Sequence, residues 1–336
     1  MKSKFIMASC TVLIFSGCKS QNFANPKIAD DSNTSVTVPA TPGTSPITIP
    51  APSPTPSMVD GVPVPNHAMS FGYYFTDGKY GDFQKEVDCY SDLYIAVAKN
   101  GYAKSSDDTD DMWLADMERS VNRAASKKQK IVWTLSIDAT GPVITSTLIR
   151  MMNFMEKIWP HVYMVELADE PKWTKAETES KLKEVRNFFR SRGVQDKPLG
   201  IVYTQSQSLD ENAITAQGLD WVGLEAYVDP PGDSNSKVNV DKLNIFLKRA
   251  KARIPPDKNI VIVMQAYSRN FGWKDINTLK ELQMPAYNHS YNDPRVIALM
   301  MFAYGRPSGT RDNLDLRPIH RKMGNAVLNK QCQPGD

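Results

Sequence analysis

The chain has little of what several common chemistries require. Its four histidines, His67, His161, His289 and His320, show no metal-ligand spacing, so no metal site is expected. No Gly-x-Ser-x-Gly segment occurs and no cysteine–histidine pairing is visible, which leaves serine and thiol nucleophiles without support. Basic residues barely outnumber acidic ones, 40 Lys+Arg against 37 Asp+Glu, and no basic run is interleaved with aromatics. That balance argues against nucleic acid as a partner. No glycine-rich phosphate loop follows the first apolar run, and no cofactor is expected. Cysteine is scarce, with four residues in 336.

What is present begins with an export signal. Lys2 and Lys4 precede the apolar stretch "FIMASCTVLIF", which is too short to span as a permanent helix, and Ser16-Gly17 lead into Cys18. "FSGC" resembles the lipobox of bacterial lipoproteins. The resemblance implies that residues 1–17 are removed and that Cys18 becomes the lipidated first residue. Lys19 then stands where aspartate would signal inner-membrane retention, so an outer-membrane or cell-surface lipoprotein is implied, touching the membrane only through its lipid anchor. An ordinary signal cut nearby, with Cys18 left free, is the alternative. From Asp31 to Asn66, 20 of 36 residues are Pro, Ser or Thr. Such a segment buries too little apolar surface to offset the entropy of ordering. Residues 18–66 therefore read as a lipidated N-terminus and disordered linker, whose proline-rich stretch reaches on the order of 100 Å at about 3.1 Å per residue.

Residues 67–336 are left for one large domain. Eight short apolar runs, at 68–75, 92–98, 130–138, 162–168, 198–204, 220–227, 259–267 and 295–304, alternate with segments of helical period. In the segment 109–128, Met112, Leu114, Met117 and Val121 recur at helical spacing, and in 175–192 Leu182, Val185 and Phe189 do the same. Eight strand–helix units with near-continuous apolar strands predict an α/β fold, a single (β/α)8 TIM barrel. A doubly wound open sheet is the runner-up. Cys89 and Cys332 lie near opposite ends of this domain, and an exported chain meets oxidising conditions, so they are expected to pair, with two separate buried thiols as the alternative. A tethered barrel closed by its own disulfide has no need of a partner subunit, and a monomer is expected.

A barrel builds its sites at the carboxyl ends of its strands. Strict alternation puts Met164, Glu166, Ala168 and Glu170 on one face of the fourth strand, and Gly223, Glu225 and Tyr227 on one face of the sixth. Thr134, Ser136 and Asp138 share a face on the third strand, as do Val263, Gln265 and Tyr267 on the seventh. These polar alternates are predicted to face the barrel mouth, with Val165, Leu167, Val222, Leu224, Ile262 and Met264 facing the helices. Glu166, a layer below Glu170, reads as structural, bonded to neighbours such as Thr134 or Ser136.

A mouth holding Asp138, Glu170 and Glu225 suits glycosidic bond cleavage, which needs one protonated carboxyl and one carboxylate. Asp138 equally suits a cap on the next helix. Tyr74, Trp173, Tyr203, Tyr227, Tyr267, Trp273 and Tyr304 fall near strand ends, where they would stack on sugar faces, although each alone also suits packing. "VELADEPKW" resembles the end of the fourth strand in clan A glycoside hydrolases, where an Asn-Glu-Pro sequence carries the acid/base glutamate. The resemblance implies Glu170 as proton donor, with Asp169 in the place of the asparagine that contacts the sugar. The clan keeps its nucleophilic glutamate at the end of the seventh strand; this chain has Gln265 there, leaving Glu225 as the leading second carboxylate. Two readings follow: a surface-anchored glycoside hydrolase acting on an extracellular or cell-envelope polysaccharide, or a catalytically inactive glycan-binding barrel.

Overall fold

The computed structural model describes residues 56–74, 76, 84–97, 110–137, 141–208, 214–228, 236–266, 276–303, 310 and 314–332. An antiparallel pair, β1 (Met58–Val59) and β2 (Val62–Pro63), precedes eight parallel strands. These are β3 (Ser70–Tyr73), β4 (Leu93–Val97), β5 (Lys130–Thr134), β6 (Val162–Asp169), β7 (Leu199–Tyr203), β8 (Trp221–Ala226), β9 (Asn259–Gln265) and β10 (Val296–Phe302). They hydrogen-bond in chain order, and β10 returns to β3, closing the barrel. Closure excludes the open sheet, and each of the eight apolar runs supplies one strand.

Helices α1 (Gln84–Val87), α2 (Asp110–Ser126), α3 (Ser146–Met155), α4 (Lys175–Ser191), α5 (Gln205–Ser208), α6 (Ser236–Arg253), α7 (Ile276–Tyr291) and α8 (Leu316–Leu328) follow the strands. Helix α4 begins where local chemistry dictates. Thr174 accepts from Glu177 N, and the Glu177 carboxylate accepts from Thr174 N, a reciprocal capping box three residues after Pro171. Helix α7 holds Pro285 in its interior, and Leu282, Ala286 and Tyr287 continue a buried face around it.

Two apolar layers divide the strand residues. Tyr73, Tyr94, Trp133, Val165, Leu167, Ile201, Val222, Leu224, Ile262 and Met264 pack outward under the helices. Leu93, Ile95, Val132, Met164, Val202, Trp221, Val263 and Met300 fill the interior. Backbones approach closely in two places. A Cβ on Gly200 would lie 1.9 Å from the Trp221 ring, so only glycine lets that indole plug the barrel floor. A Cβ on Gly324 would lie 2.2 Å from the Tyr90 carbonyl oxygen, so glycine lets α8 close on the chain after α1. There Cys89 and Cys332 form a disulfide with Cα atoms 5.9 Å apart, as expected.

Residues 56–66, part of the stretch read as linker, are among the described residues and carry β1 and β2. Val62 is buried, Pro63 O accepts from the Tyr287 hydroxyl at 2.5 Å, and Asn325 donates to Asp60 at 2.7 Å. Proline and serine dominate the stretch, but a few apolar contacts suffice to order its last residues. Cys18 and the rest of the leader lie outside the described residues. Among those described, no helix is long and apolar enough to cross a membrane.

Candidate active site

The carboxyl end of β6 departs from strict alternation. Glu166 pairs with Gly200, but the next partners are Asp169 and Val202: three steps on β6 against two on β7. One residue is inserted, a bulge. Val202 belongs to the barrel interior, so Asp169 opposite it takes the inward position that alternation assigned to Ala168, and Ala168 packs in the outer layer. Glu170 follows with φ of 51°, left-handed backbone that is unusual for a glutamate, and its N–H still donates to Val202 O at 2.9 Å. Bulge and turn together bring three carboxyls of one short segment to the mouth, a placement that alternation alone does not give.

Beneath them Glu166 has no exposed surface. Its Oε2 accepts from the Tyr74 hydroxyl at 2.9 Å and the Thr134 hydroxyl at 3.1 Å. Its Oε1, also buried, accepts nothing. Burial first, and then the Asp169 charge, push its pKa up to about 8, against the lowering effect of the two hydroxyls. Asp169 is reachable by solvent, yet protein fills most of the volume around it, as on the floor of a cleft. That enclosure, and then Glu170, raise it to about 7.

Glu225 enters from β8 and is 6% exposed. Its carboxyl lies within hydrogen-bonding reach of Glu170, and the contact favours a proton on Glu225. Burial, then the charges of Glu170 and Asp169, push it up to about 10. Of the two carboxyls, Glu225 therefore keeps its proton across neutral pH. The short helix α5 positions both: Gln207 donates to the carbonyls of Glu170 at 3.3 Å and Pro171 at 3.0 Å, and Gln205 donates to that of Tyr227.

An aromatic wall stands beside the acids. The Phe302 ring lies 5.7 Å from that of Tyr74 and 6.4 Å from that of Tyr227. Burial and the adjacent carboxylates raise the pKa of both phenols. Gln265 is buried at the end of β9, in register with Phe302.

The structure thus brings Glu170, Glu225, Asp169, Tyr74, Tyr227 and Gln265 to one end of the barrel. Two expected sugar contacts are placed elsewhere. Tyr203 is 1% exposed, lies in the outer layer and bonds to Thr178 of α4, because its parity on β7 turns it to the helices. Trp173 is also in that layer, 7% exposed and under the Lys181 ammonium at 5.0 Å, so it packs against α4 instead of lining the rim. Asp138, Tyr267, Trp273 and Tyr304 lie outside the described residues. Thr134 donates to Glu166 as expected, whereas Phe302, Gln205 and Gln207 were missed as parts of the site; the inward parity of Phe302 was the available signal, and nothing in the sequence marks the α5 glutamines. Among the described residues, no group of three or more His, Cys, Asp and Glu could hold a metal ion.

No family model matches the chain, and no curated protein matches it. Several solved structures share some likeness. A glycoside hydrolase family 17 β-1,3-glucanosyltransferase from Rhizomucor miehei has a TM-score of 0.46 at 11% identity, over 69% of this chain and 85% of that one. A putative chitinase A from Streptomyces coelicolor has 0.46 at 13%, over 78% and 99%. A β-glucuronidase from Ruminococcus gnavus has 0.46 at 13%, over 74% of this chain but 46% of its own. At that similarity they carry no argument about function. The class of the fold rests on the chain's own strand order: a closed parallel (β/α)8 barrel with a carboxyl-rich mouth.

Proposed function

We propose that this chain is a retaining glycoside hydrolase, anchored at the cell surface by lipid on Cys18, that cleaves an extracellular or cell-envelope polysaccharide. The observation that carries this reading is the contact between Glu170 and Glu225 at the barrel mouth. An inverting enzyme separates its carboxyls by about 6.5–9.5 Å to admit a water between them, whereas retention uses about 5–5.5 Å. Carboxyls that share a proton lie nearer the retaining separation than the inverting one, and a sugar entering between them would part them toward it.

The proton lies on Glu225, the more enclosed partner, so the assignment favoured by electrostatics reverses the one implied by the resemblance. Glu225 protonates the glycosidic oxygen as its bond to the anomeric carbon breaks. Glu170 attacks that carbon, forming a glycosyl ester and releasing the leaving group as an alcohol. Glu225, now a carboxylate, takes a proton from water as the water attacks the same carbon, freeing Glu170. Gln265 is no nucleophile. It offers an amide to a sugar hydroxyl, and Tyr74, Phe302 and Tyr227 form the apolar wall beside the ring.

Azide rescue on activated aryl glycosides separates the roles. With Glu170→Ala, azide should restore turnover and give a glycosyl azide of inverted configuration. With Glu225→Ala, it should accelerate deglycosylation and give the retained azide. The opposite pattern would return the acid role to Glu170. Gln265 favours a second reading, a glycan-binding barrel without turnover; measurable glycan binding with no cleavage by the wild-type chain would support it.

A further inference from the structure

Two carboxyls suffice for the proposed double displacement, yet four meet at this mouth. The surplus pair is Glu166 and Asp169. Keeping them together is costly, because burial opposes ionisation of both, and the charge of Asp169 adds to it at Glu166 and that of Glu170 at Asp169. The charges acting on Glu166, Asp169 and Glu225 are one another's and that of Glu170, and among the described residues no ion pair joins any of the four to a lysine or arginine. Glu166 also retains a buried carboxyl oxygen that accepts no hydrogen bond among the described residues, whereas its other oxygen is held twice. A buried acceptor left unfilled is costly and calls for a donor. The arrangement is unsuited to uronic acids and other anionic glycans, which would add further negative charge to the mouth.

We propose that the mouth selects a glycan bearing free amino groups. Asp169, on the solvent-reachable floor beside Glu170, contacts the ammonium of the bound sugar, and the unfilled carboxyl of Glu166 beneath it supplies the supporting negative field. This rests on the reading of the mouth as a glycan site. It assigns the surplus acids to recognition and the Glu170–Glu225 pair to chemistry. An ammonium at Asp169 stabilises ionised carboxylates around it, so binding at neutral pH displaces protons from Glu166, Asp169 and Glu225, with the Tyr74 and Tyr227 phenols staying neutral.

Titration calorimetry on the full chain in detergent micelles at pH 7 tests this without requiring turnover. The probes are glucosamine tetramers of β-1,4 and β-1,6 linkage, their N-acetylated counterparts, cellotetraose and a galacturonate tetramer, each in phosphate and in Tris buffer. At least one glucosamine tetramer should bind at least ~10-fold more tightly than its acetylated form, a preference that weakens with added salt. The heat should differ between the buffers by about one released proton for that ligand and by none for cellotetraose. Asp169→Asn should bring the two forms within about threefold. Equal or tighter binding of the acetylated, neutral or uronate tetramers, or binding of none of the set, would overturn the proposal. Selective binding of a glucosamine tetramer with no cleavage of any glycan would instead sink the hydrolase reading and leave this one standing. Cleavage of neutral glycans without ammonium preference would do the reverse.

Discussion

Glu166 concentrates the electrostatic tension of the site in one side chain: no exposed surface, two hydroxyl donors on one oxygen and none on the other. Its folded pKa of about 8, with about 7 for Asp169 and about 10 for Glu225, lies above the unfolded value in each case. Below the unfolded pKa both states are protonated and no penalty exists. As pH rises from there through the folded pKa values, the unfolded chain ionises first, and stability is lost. The melting temperature should therefore fall steadily between about pH 5 and pH 10. Glu166→Gln keeps an acceptor for Tyr74 and Thr134 and removes the charge, so it should melt higher than wild type at pH 9, by on the order of a few kcal/mol, and close to wild type at pH 5. A wild-type-like profile in that variant would show that Glu166 does not carry the tension. Gln265→Glu adds an acid to the same mouth and should lower the alkaline melting temperature without raising turnover. A tenfold gain in turnover would mean that the seventh-strand position is a vacated nucleophile site.

Among the elements, β6 decides where the chemistry sits. Its acids were legible in "VELADEPKW" as carboxylates in an apolar run, and the end of the strand followed from Pro171. Their directions were not legible, because a bulge is a choice between two registers that depends on what β7 offers opposite, and Gly200 and Val202 are distant in sequence. For the same reason all eight strands could be read from apolar runs, while Tyr203 and Trp173 were placed in the mouth by proximity to strand ends and belong to the helix-facing layer. Helix α5 begins at Gln205 and carries the two glutamines that hold the backbone at Glu170 and Tyr227. Gln207→Ala should lower kcat on the order of tenfold, with KM changed less than threefold, because it displaces the Glu170 turn without touching the wall that contacts substrate. An equal loss in Glu225→Gln alone and in the double variant with Gln207→Ala would confirm that the glutamine acts through the pair. Gly200→Ala drives a methyl into the Trp221 ring and should destabilise by several kcal/mol, or prevent folding.

For the whole molecule, the disulfide closes the barrel unit on itself across a sequence separation of 243 residues. Loop-closure entropy alone gives a contribution on the order of 5 kcal/mol, an upper figure for a chain whose unfolded state keeps some structure. Cys89→Ser/Cys332→Ser should lower the melting temperature substantially at every pH, leaving the shape of the pH profile intact, since no carboxyl of the mouth is near either cysteine in sequence. The chain enters the barrel at its amino end, where the His67 ring bonds to Val296 O at 2.9 Å at the start of β10. The eightfold order and the disulfide were legible because both follow from composition and period. The contact between Glu170 and Glu225 was not, because it needs the register of three strands at once. That contact is most directly tested by proton NMR of the first-formed products as the full chain acts on a panel of neutral and amino polysaccharides. Retention of anomeric configuration, lost together with activity in Glu225→Gln, is the predicted result; inverted products, cleavage that survives in Glu225→Gln, or no new reducing ends from any polysaccharide would contradict it.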